Sequence, residues 1–116
     1  MIIVQSKQKG AVVLALSGRL DFTSRHDFQS AIQQAKETGS QLIVLNMKDV
    51  SFIDSAALGM LMVAFKDLQQ SKIRLVIAEP QAYVEKIFTL ANLGNIVSVC
   101  ATVDEAVSLP ISVVSR

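Results

Sequence analysis

Residues 42–59 read LIVLNMKDVSFIDSAALG, and this stretch decides how the chain folds. It opens with four consecutive apolar residues, which is typical of a strand covered on both faces of its sheet. After the Asp54–Ser55 pair, an unusually apolar helix is predicted over about residues 56–70. Asp54 or Ser55 can cap that helix by accepting hydrogen bonds from its free backbone N–H groups. We therefore expect a buried strand that turns directly into a helix.

Strand and helix patterns continue on the N-terminal side of this stretch. A hairpin is predicted from apolar runs at residues 2–5 and 11–16, which a polar turn separates and Gly18 ends. Helical spacing of apolar residues predicts a first helix that begins near Ser24, where Ser24 and Asp27 resemble a capping box.

The C-terminal half repeats the alternation. It contains a buried strand, a third helix, a short last strand and a final helix, predicted over residues 73–78, over 84–91, over 96–99 and from Thr102 onward. Thr102 and Glu105 form a capping box at the start of the final helix. The order β-β-α-β-α-β-α-β-α predicts an α/β domain with a largely parallel sheet and right-handed crossovers.

The helix after Ser55 has more apolar residues than one core stripe needs. We expect the core stripe to comprise Leu58, Leu61, Phe65 and Leu68. Four further apolar side chains are left for other directions: Met60, Met62, Val63 and Ala64. They either pack against neighbouring helices or form an exposed patch for a partner, where flexible methionine is often used.

Length and composition exclude several classes of protein. With 116 residues, 51% apolar and 18% charged, the chain fits a folded domain rather than a disordered segment. We expect residues 1–116 to form a single domain, with a core over about residues 2–108 and a C-terminal tail over residues 109–116. The net charge of +1 removes the main electrostatic driving force for nucleic-acid binding, so we expect no nucleic-acid partner.

Composition also bears on location. The longest nearly apolar run, residues 56–65, is about half of the ~20 residues that a membrane span requires. The N-terminus lacks the pattern of a secretory signal. Cys100 is the single cysteine, which favours a reducing compartment. We therefore expect a cytoplasmic protein without membrane insertion.

The sequence offers no catalytic arrangement. It has no glycine-rich phosphate loop and no GxSxG nucleophile turn. His26 is the only histidine, and a lone histidine on a helix is more often structural than a general base. One histidine and one cysteine are too few for a zinc site. We expect no catalytic residue, no metal and no cofactor, and hence a protein that is not an enzyme.

The Asp54–Ser55 turn supports two interpretations. In the first, the pair only caps the helix. In the second, Ser55 accepts a phosphate, because the free N–H groups and the positive end of the helix dipole favour an anion there. A phosphate adds about −1.5 to −2 charge. Beside Asp54, that charge would change the surface strongly and leave the fold intact, as an interaction switch requires.

The run from residue 42 to Gly59 resembles the signature of the STAS domain, and more narrowly that of the bacterial anti-sigma factor antagonists. In that family a hydrophobic strand is followed by Asp-Ser-[Ser/Thr]-Gly-Leu-Gly at the start of a helix. Residues 18–21, Gly-Arg-Leu-Asp, resemble the family's Gly-x-Leu-Asp, and Glu79–Pro80 before the third helix fits as well. Two positions depart from the pattern, because Ala56 stands in place of Ser or Thr and Ala57 in place of Gly.

The resemblance implies a single STAS-like α/β domain with a small mixed, mostly parallel sheet of about five strands. About four helices would pack mainly on one side of this sheet. It also implies partner switching: the unphosphorylated antagonist binds an anti-sigma factor, often a serine kinase of the histidine-kinase-like ATPase type, and thereby frees a sigma factor. The kinase then phosphorylates the serine after the aspartate, the complex dissociates, and a serine phosphatase resets the system.

Carried over by position, Ser55 is the phosphoacceptor. The expected partner-binding residues lie around it on the neighbouring loops and on the first turns of the helix: Asp21, Phe22, Thr23, Ile53, Asp54, Ser55, Ala56, Leu58, Gly59, Met62, Glu79 and Pro80.

Two other functions stay open at this point. The chain could be a constitutive STAS scaffold subunit of a signalling or lipid-transport ATPase complex, although an acceptor serine has no use in a scaffold. It could also be an enzyme or nucleotide-binding protein, with Asp21, Ser55 and Glu79 clustered at the carboxyl ends of the strands. Only Arg19 or Arg25 would then be available to hold a phosphate.

Overall fold

A five-stranded sheet in the order β1-β2-β3-β4-β5 organises the chain, as seen in a computed structural model that describes residues 1–108. The first two strands pair antiparallel, and all later pairs are parallel. The prediction of an α/β domain with a mixed, mostly parallel sheet is therefore confirmed. The strands are β1 (Ile2–Gln8), β2 (Ala11–Leu20), β3 (Leu42–Ile53), β4 (Arg74–Ala78) and β5 (Ser98–Cys100).

Helices follow β2, β3, β4 and β5 in turn. They are α1 (Arg25–Glu37), α2 (Ser55–Gln70), α3 (Ala82–Leu90) and α4 (Val103–Val107). Buried side chains of α1, α2 and α3 share one hydrophobic core on one face of the sheet. Only the short α4 packs in the second core, on the opposite face. The helices thus lie mainly on one side, as expected. Among the described residues, none of the helices has the length and apolar character to cross a membrane.

Strand β3 is covered on both faces, as its continuous apolar start predicted. Ile43 and Leu45 belong to the main core beneath α1, α2 and α3. Leu42 and Val44 belong to the second core with α4. Alternate side chains of a strand point to opposite faces, so four consecutive apolar residues serve both cores.

Three strands are longer than expected. Strand β1 continues to Gln8 because its polar residues still pair with β2 while their side chains stay largely in solvent. Gly18 does not end β2: at φ +103° it lies next to an irregularity in the β2–β3 register, and pairing resumes at Arg19. The polar second half of β3 remains paired to β2, so this strand ends at Ile53.

The buried face of α2 differs from the predicted core stripe. Leu61 and Leu68 are fully buried as expected, whereas Leu58 and Phe65 are only half-buried. Met60 and Ala64 are buried instead, because α2 packs against α1 as well as against the sheet. Their packing against a neighbouring helix excludes them from an exposed patch.

Smaller differences lie at element ends. The predicted capping box of Ser24 and Asp27 is wrong, because α1 begins at Arg25 without a side-chain cap. The last strand starts at Ser98 rather than at residue 96, since a 3₁₀ turn over Leu93–Asn95 precedes it. Thr102 caps α4 by accepting from the Glu105 N–H at 3.0 Å, which is one of the two hydrogen bonds of the predicted capping box; the return bond to the Glu105 side chain is not found among the described residues. The predicted tail, residues 109–116, lies outside the described residues.

Candidate functional site

The carboxyl ends of β2 and β3 bring two turns together. Leu20 pairs with Ile53, so Asp21 and Asp54 follow neighbouring strands at one edge of the sheet. The Phe22 N–H donates to Asp54 Oδ2 over 3.3 Å, which ties the 3₁₀ turn after β2 to the start of α2. We refer to residues 21–24 and 54–55 together as the paired turns.

Asp54 caps α2, which decides between the two candidate caps. Its Oδ1 accepts from the Ala57 N–H at 2.8 Å, and its extended backbone marks the residue before the helix. Ser55 is consequently the first residue of α2, and it is exposed. Within residues 1–108 the Ser55 side chain makes no hydrogen bond. Because Asp54 performs the capping, the Ser55 hydroxyl is left facing solvent.

Asp21 organises the other turn. Its Oδ1 accepts from both the N–H and the hydroxyl of Thr23, and it lies 3.3 Å from the Ser24 hydroxyl oxygen. The Ser24 hydroxyl also lies 2.6 Å from the Arg19 carbonyl oxygen, and Arg19 Nε lies 3.5 Å from Asp21 Oδ2. The hydrogen bond from the Thr23 hydroxyl, ahead of the others, lowers the pKa of Asp21 below its ordinary value. Asp21 therefore stays ionised and turned into its own loop.

Most of the predicted partner-binding residues lie around the paired turns with accessible surface. Phe22, Thr23, Ser55 and Gly59 are exposed; Asp21, Asp54, Ala56, Leu58 and Met62 are half-buried. Ile53 does not fit the prediction: its side chain is 3% exposed and packs in the main core. A partner cannot reach it, so Ile53 supports the site from below.

Glu79 and Pro80 lie elsewhere on the same edge. Gln81 in their turn donates from Nε2 to the Lys48 carbonyl at 2.9 Å, which places this turn beside the middle of β3. Asp49, the residue after Lys48, pairs with Ser17 of β2, whereas Ile53 pairs with Leu20. The second pair therefore lies three residues of β2 further along the sheet, a distance of roughly 10 Å. The expected cluster of Asp21, Ser55 and Glu79 is therefore not formed.

The Glu79 carboxylate has a structural partner. Glu79 Oε2 accepts from the Val103 N–H at 2.9 Å, at the start of α4 on the opposite face of the sheet. Its backbone N–H donates to the Cys100 carbonyl, and its φ of +56° makes a sharp turn after β4. Glu79 thus fastens α4 to the sheet, while Pro80 remains half-buried in the turn that follows.

Two cation–π pairs beside the paired turns were not predicted. The Arg19 guanidinium carbon lies 4.0 Å from the centroid of the Phe52 ring, and that of Arg25 lies 5.2 Å from the centroid of the Phe22 ring. The sequence contains one signal for the first pair, since Arg19 and Phe52 each precede an aspartate by two residues on the strands now seen to pair. No comparable signal exists for Arg25 and Phe22.

The described residues contain no group of three or more His, Cys, Asp or Glu side chains that could hold a metal ion. Cys100 is half-buried in the second core, and burial, followed by the charge of Glu105, raises its pKa. A thiol held in its protonated form is a poor nucleophile.

Fold and site together define a small α/β domain that presents an exposed serine at the start of a helix, next to a loop fixed by the preceding aspartate. The family model of the STAS domain matches residues 3–106. The chain therefore belongs to the STAS domain family.

Several similar proteins are named anti-sigma factor antagonists. The chain is 27% identical over 84 residues to an anti-sigma F factor antagonist of Lysinibacillus sphaericus, a match that covers 72% of each protein. Its fold is similar to that of the anti-sigma factor antagonist SpoIIAA in the unphosphorylated form, with a TM-score of 0.75 and 25% identity over 91% of this chain and 93% of the other.

SpoIIAA of Bacillus has also been solved in the phosphorylated form. That structure has a TM-score of 0.68 and 25% identity, and the match covers 91% of this chain and 96% of the other. The relatives thus include anti-sigma factor antagonists, one of which exists in both a phosphorylated and an unphosphorylated form.

Proposed function

We propose that this chain is an anti-sigma factor antagonist and that phosphorylation of Ser55 controls its binding to an anti-sigma factor. The observation that carries the proposal is the division of labour at the start of α2. Asp54 caps the helix with Oδ1 and holds the neighbouring loop with Oδ2. Ser55 is exposed and has no capping role, so a kinase can modify it without removing a contact of the fold.

A phosphate on Ser55 would be tolerated by the folded chain. The group would lie at the N-terminus of α2, a helix of 16 residues, where the helix dipole favours negative charge. The same group would stand beside the carboxylate of Asp54. A partner that covers this site would have to desolvate the phosphate and the Asp54 carboxylate together, and burying an uncompensated charge costs several kcal/mol. Since each 1.4 kcal/mol is about tenfold in affinity, such a cost releases the partner.

The surface used for binding is proposed to surround Ser55. It comprises Asp21, Phe22 and Thr23 of the first turn, together with Asp54, Ala56, Leu58, Gly59 and Met62 of the second turn and α2. Phe22 is 62% exposed and its backbone N–H is held by Asp54; an exposed aromatic side chain on a fixed backbone suits a binding surface. Glu79 and Pro80 would contact only a partner that extends along the sheet edge.

Several finer predictions belong to the same proposal. The partner is expected to be a serine kinase of the histidine-kinase-like ATPase type, and a serine phosphatase is expected to reverse the reaction. We expect the chain itself to have no catalytic activity, to bind no nucleic acid and to act in the cytoplasm. The phosphorylated and unphosphorylated forms of SpoIIAA support the switch by analogy.

The test is a paired capture from lysate of the native host. The baits are Ser55→Ala and Ser55→Asp, and bound proteins are identified by mass spectrometry. Ser71→Ala and Ser71→Asp are matched controls, because Ser71 is exposed at the other end of the same helix. We expect an anti-sigma factor on the Ser55→Ala bait and on both controls, and its loss from Ser55→Asp.

The opposite result is equally informative. If one partner remains on both Ser55 baits, Ser55 is only the first residue of a helix and the switch does not exist. A transporter ATPase or membrane subunit held equally by both baits would instead support a constitutive scaffold.

A further inference from the structure

Near Ser55, Arg19 at the end of β2 and Arg25 at the start of α1 lie against aromatic rings. Arg19 stands over Phe52 at 4.0 Å, and Arg25 stands over Phe22 at 5.2 Å. We call these four residues the arginine–aromatic surface. Phe22 belongs to the paired turns, and Arg25 directly follows the first of them. Arg19 and Phe52 are paired in register, two residues before Asp21 and Asp54.

Both arginines can bind a planar anion while they contact the rings. A guanidinium that rests on a ring uses its face for that contact, and its N–H edge remains available for a carboxylate. The Arg19 side chain is 62% exposed, and its only ion pair within residues 1–108 is the 3.5 Å contact of Nε with Asp21. Arg25 is exposed and has no ion pair among the described residues.

Two neighbouring acids lie close to this surface, and one of them contacts Arg19. Asp54 directs both carboxylate oxygens to backbone N–H groups. Asp21 directs its Oδ1 into its own turn, and its Oδ2 lies 3.5 Å from Arg19 Nε. Within the described part of the chain, only Nε of Arg19 contacts an acid, so its terminal N–H groups and the Arg25 guanidinium stay available to a partner, next to the aromatic rings. Arginine and aromatic residues are the types enriched where protein interfaces gain most of their binding energy.

We propose that the arginine–aromatic surface binds acidic side chains of the protein partner, with carboxylates on Arg19 and Arg25 and an apolar side chain against Phe22. The identity of the partner in this inference rests on the proposed function. The acidic chemistry expected of the bound segment follows from the surface itself. Two guanidinium groups on a chain of net charge +1 are a poor match for the repeated phosphates of DNA or of an anionic membrane. They suit one short acidic segment.

The surface also bears on release of the partner. A phosphate on Ser55 would bring a dianion close to both arginines, where it competes for their N–H groups and repels the acidic segment of the partner. Replacing the arginines should therefore weaken the unphosphorylated complex. Phosphorylation of Ser55 should then lower the affinity for the partner by a smaller factor than in the wild type.

The first test needs no knowledge of the partner. The full chain, labelled with nitrogen-15, is titrated with the peptide acetyl-Glu-Glu-Leu-Phe-Glu-Glu-amide while the Nε–H signals of Arg19 and Arg25 are followed by NMR. We expect these signals to shift with the acidic peptide and not with the same peptide carrying Lys in place of Glu. Arg19→Gln/Arg25→Gln should weaken peptide binding about tenfold. The control Lys66→Gln/Lys86→Gln removes the same charge from exposed positions and should change it less than twofold.

Three outcomes would overturn the proposal. The arginine signals could remain unmoved by the acidic peptide, or the two double variants could weaken binding equally. A DNA duplex or phosphatidylserine vesicles could also displace the peptide at a concentration of negative charge lower than that of the peptide. The surface would then be a site for polyanions.

The second test uses the anti-sigma factor captured by the Ser55→Ala bait. Arg19→Gln/Arg25→Gln in that background should lower its affinity about tenfold and reduce the dependence of association rate on salt. An unchanged affinity would reject the arginine–aromatic surface and leave the Ser55 switch standing. If no partner is captured but the acidic peptide binds, the proposed function fails and the surface stands.

Discussion

Replacement of Asp54 by alanine removes two contacts at once. The carboxylate caps α2 through the Ala57 N–H at 2.8 Å and holds the neighbouring turn through the Phe22 N–H at 3.3 Å. Loss of an N-cap costs about 1 kcal/mol, and loss of the second hydrogen bond costs about 1 kcal/mol more. We expect Asp54→Ala to lower the free energy of unfolding by about 2 kcal/mol. For a chain of this length that corresponds to a fall in Tm of about 8 °C.

Urea denaturation followed by far-ultraviolet circular dichroism measures this change directly. Asp49→Ala is the matched control, because Asp49 is an exposed aspartate of β3 and its loss changes the charge equally. Asp54→Asn should fall between wild type and Asp54→Ala, since asparagine is also a good N-cap. If Asp54→Ala and Asp49→Ala are equally stable, Asp54 does not join the two turns and the structural basis of the site is wrong.

Two further predictions concern the core and the first turn. Met60→Ala should lower the free energy of unfolding by about 2 to 3 kcal/mol because Met60 is only 8% exposed. Val63→Ala is the control: its side chain is 64% exposed, so the free energy of unfolding should change by less than about 0.5 kcal/mol. Equal effects of the two variants in urea denaturation would contradict the packing of α2 against α1. Asp21→Asn should destabilise the chain at pH 7. Hydrogen bonds lower the folded-state pKa of Asp21 below its ordinary 3.8. The ionised carboxylate therefore stabilises the folded chain fully at pH values above 3.8, and this stabilisation is lost as the pH falls through the folded-state pKa. The difference in unfolding free energy between wild type and Asp21→Asn should therefore narrow in acid. A difference that does not depend on pH would refute the hydrogen bonding of ionised Asp21 to Thr23.

The central strand and the turn after it could be predicted from local sequence. Four consecutive apolar residues at the start of β3 require cover on both faces, and Asp54 before an apolar helix is a common N-cap. These features depend on residues close together in the chain. The STAS resemblance added the overall arrangement of sheet and helices.

Features that depend on distant residues could not be predicted in this way. The bond between Phe22 and Asp54 joins residues 32 positions apart, and the cation–π contact of Arg19 with Phe52 depends on the register of β2 and β3. The same limit explains the error in α2. Helical spacing identified the apolar positions of α2. It could not show that Met60 is buried and Leu58 only half-buried, because this depends on where α1 lies.

Glu79 shows a different limit. Its place before α3 matched the family pattern, yet its carboxylate serves α4 on the other face of the sheet. A carboxylate at a strand end can hold a neighbouring helix or bind a partner, and the sequence around it does not distinguish the two.

The most direct test of the central claim compares two forms of the same chain. One carries serine at position 55 and the other carries phosphoserine, and both are titrated with the anti-sigma factor captured by the Ser55→Ala bait in an isothermal calorimeter. We expect the phosphorylated form to bind at least about a hundredfold more weakly, the equivalent of about 3 kcal/mol. Equal affinity of the two forms would contradict control of binding by Ser55.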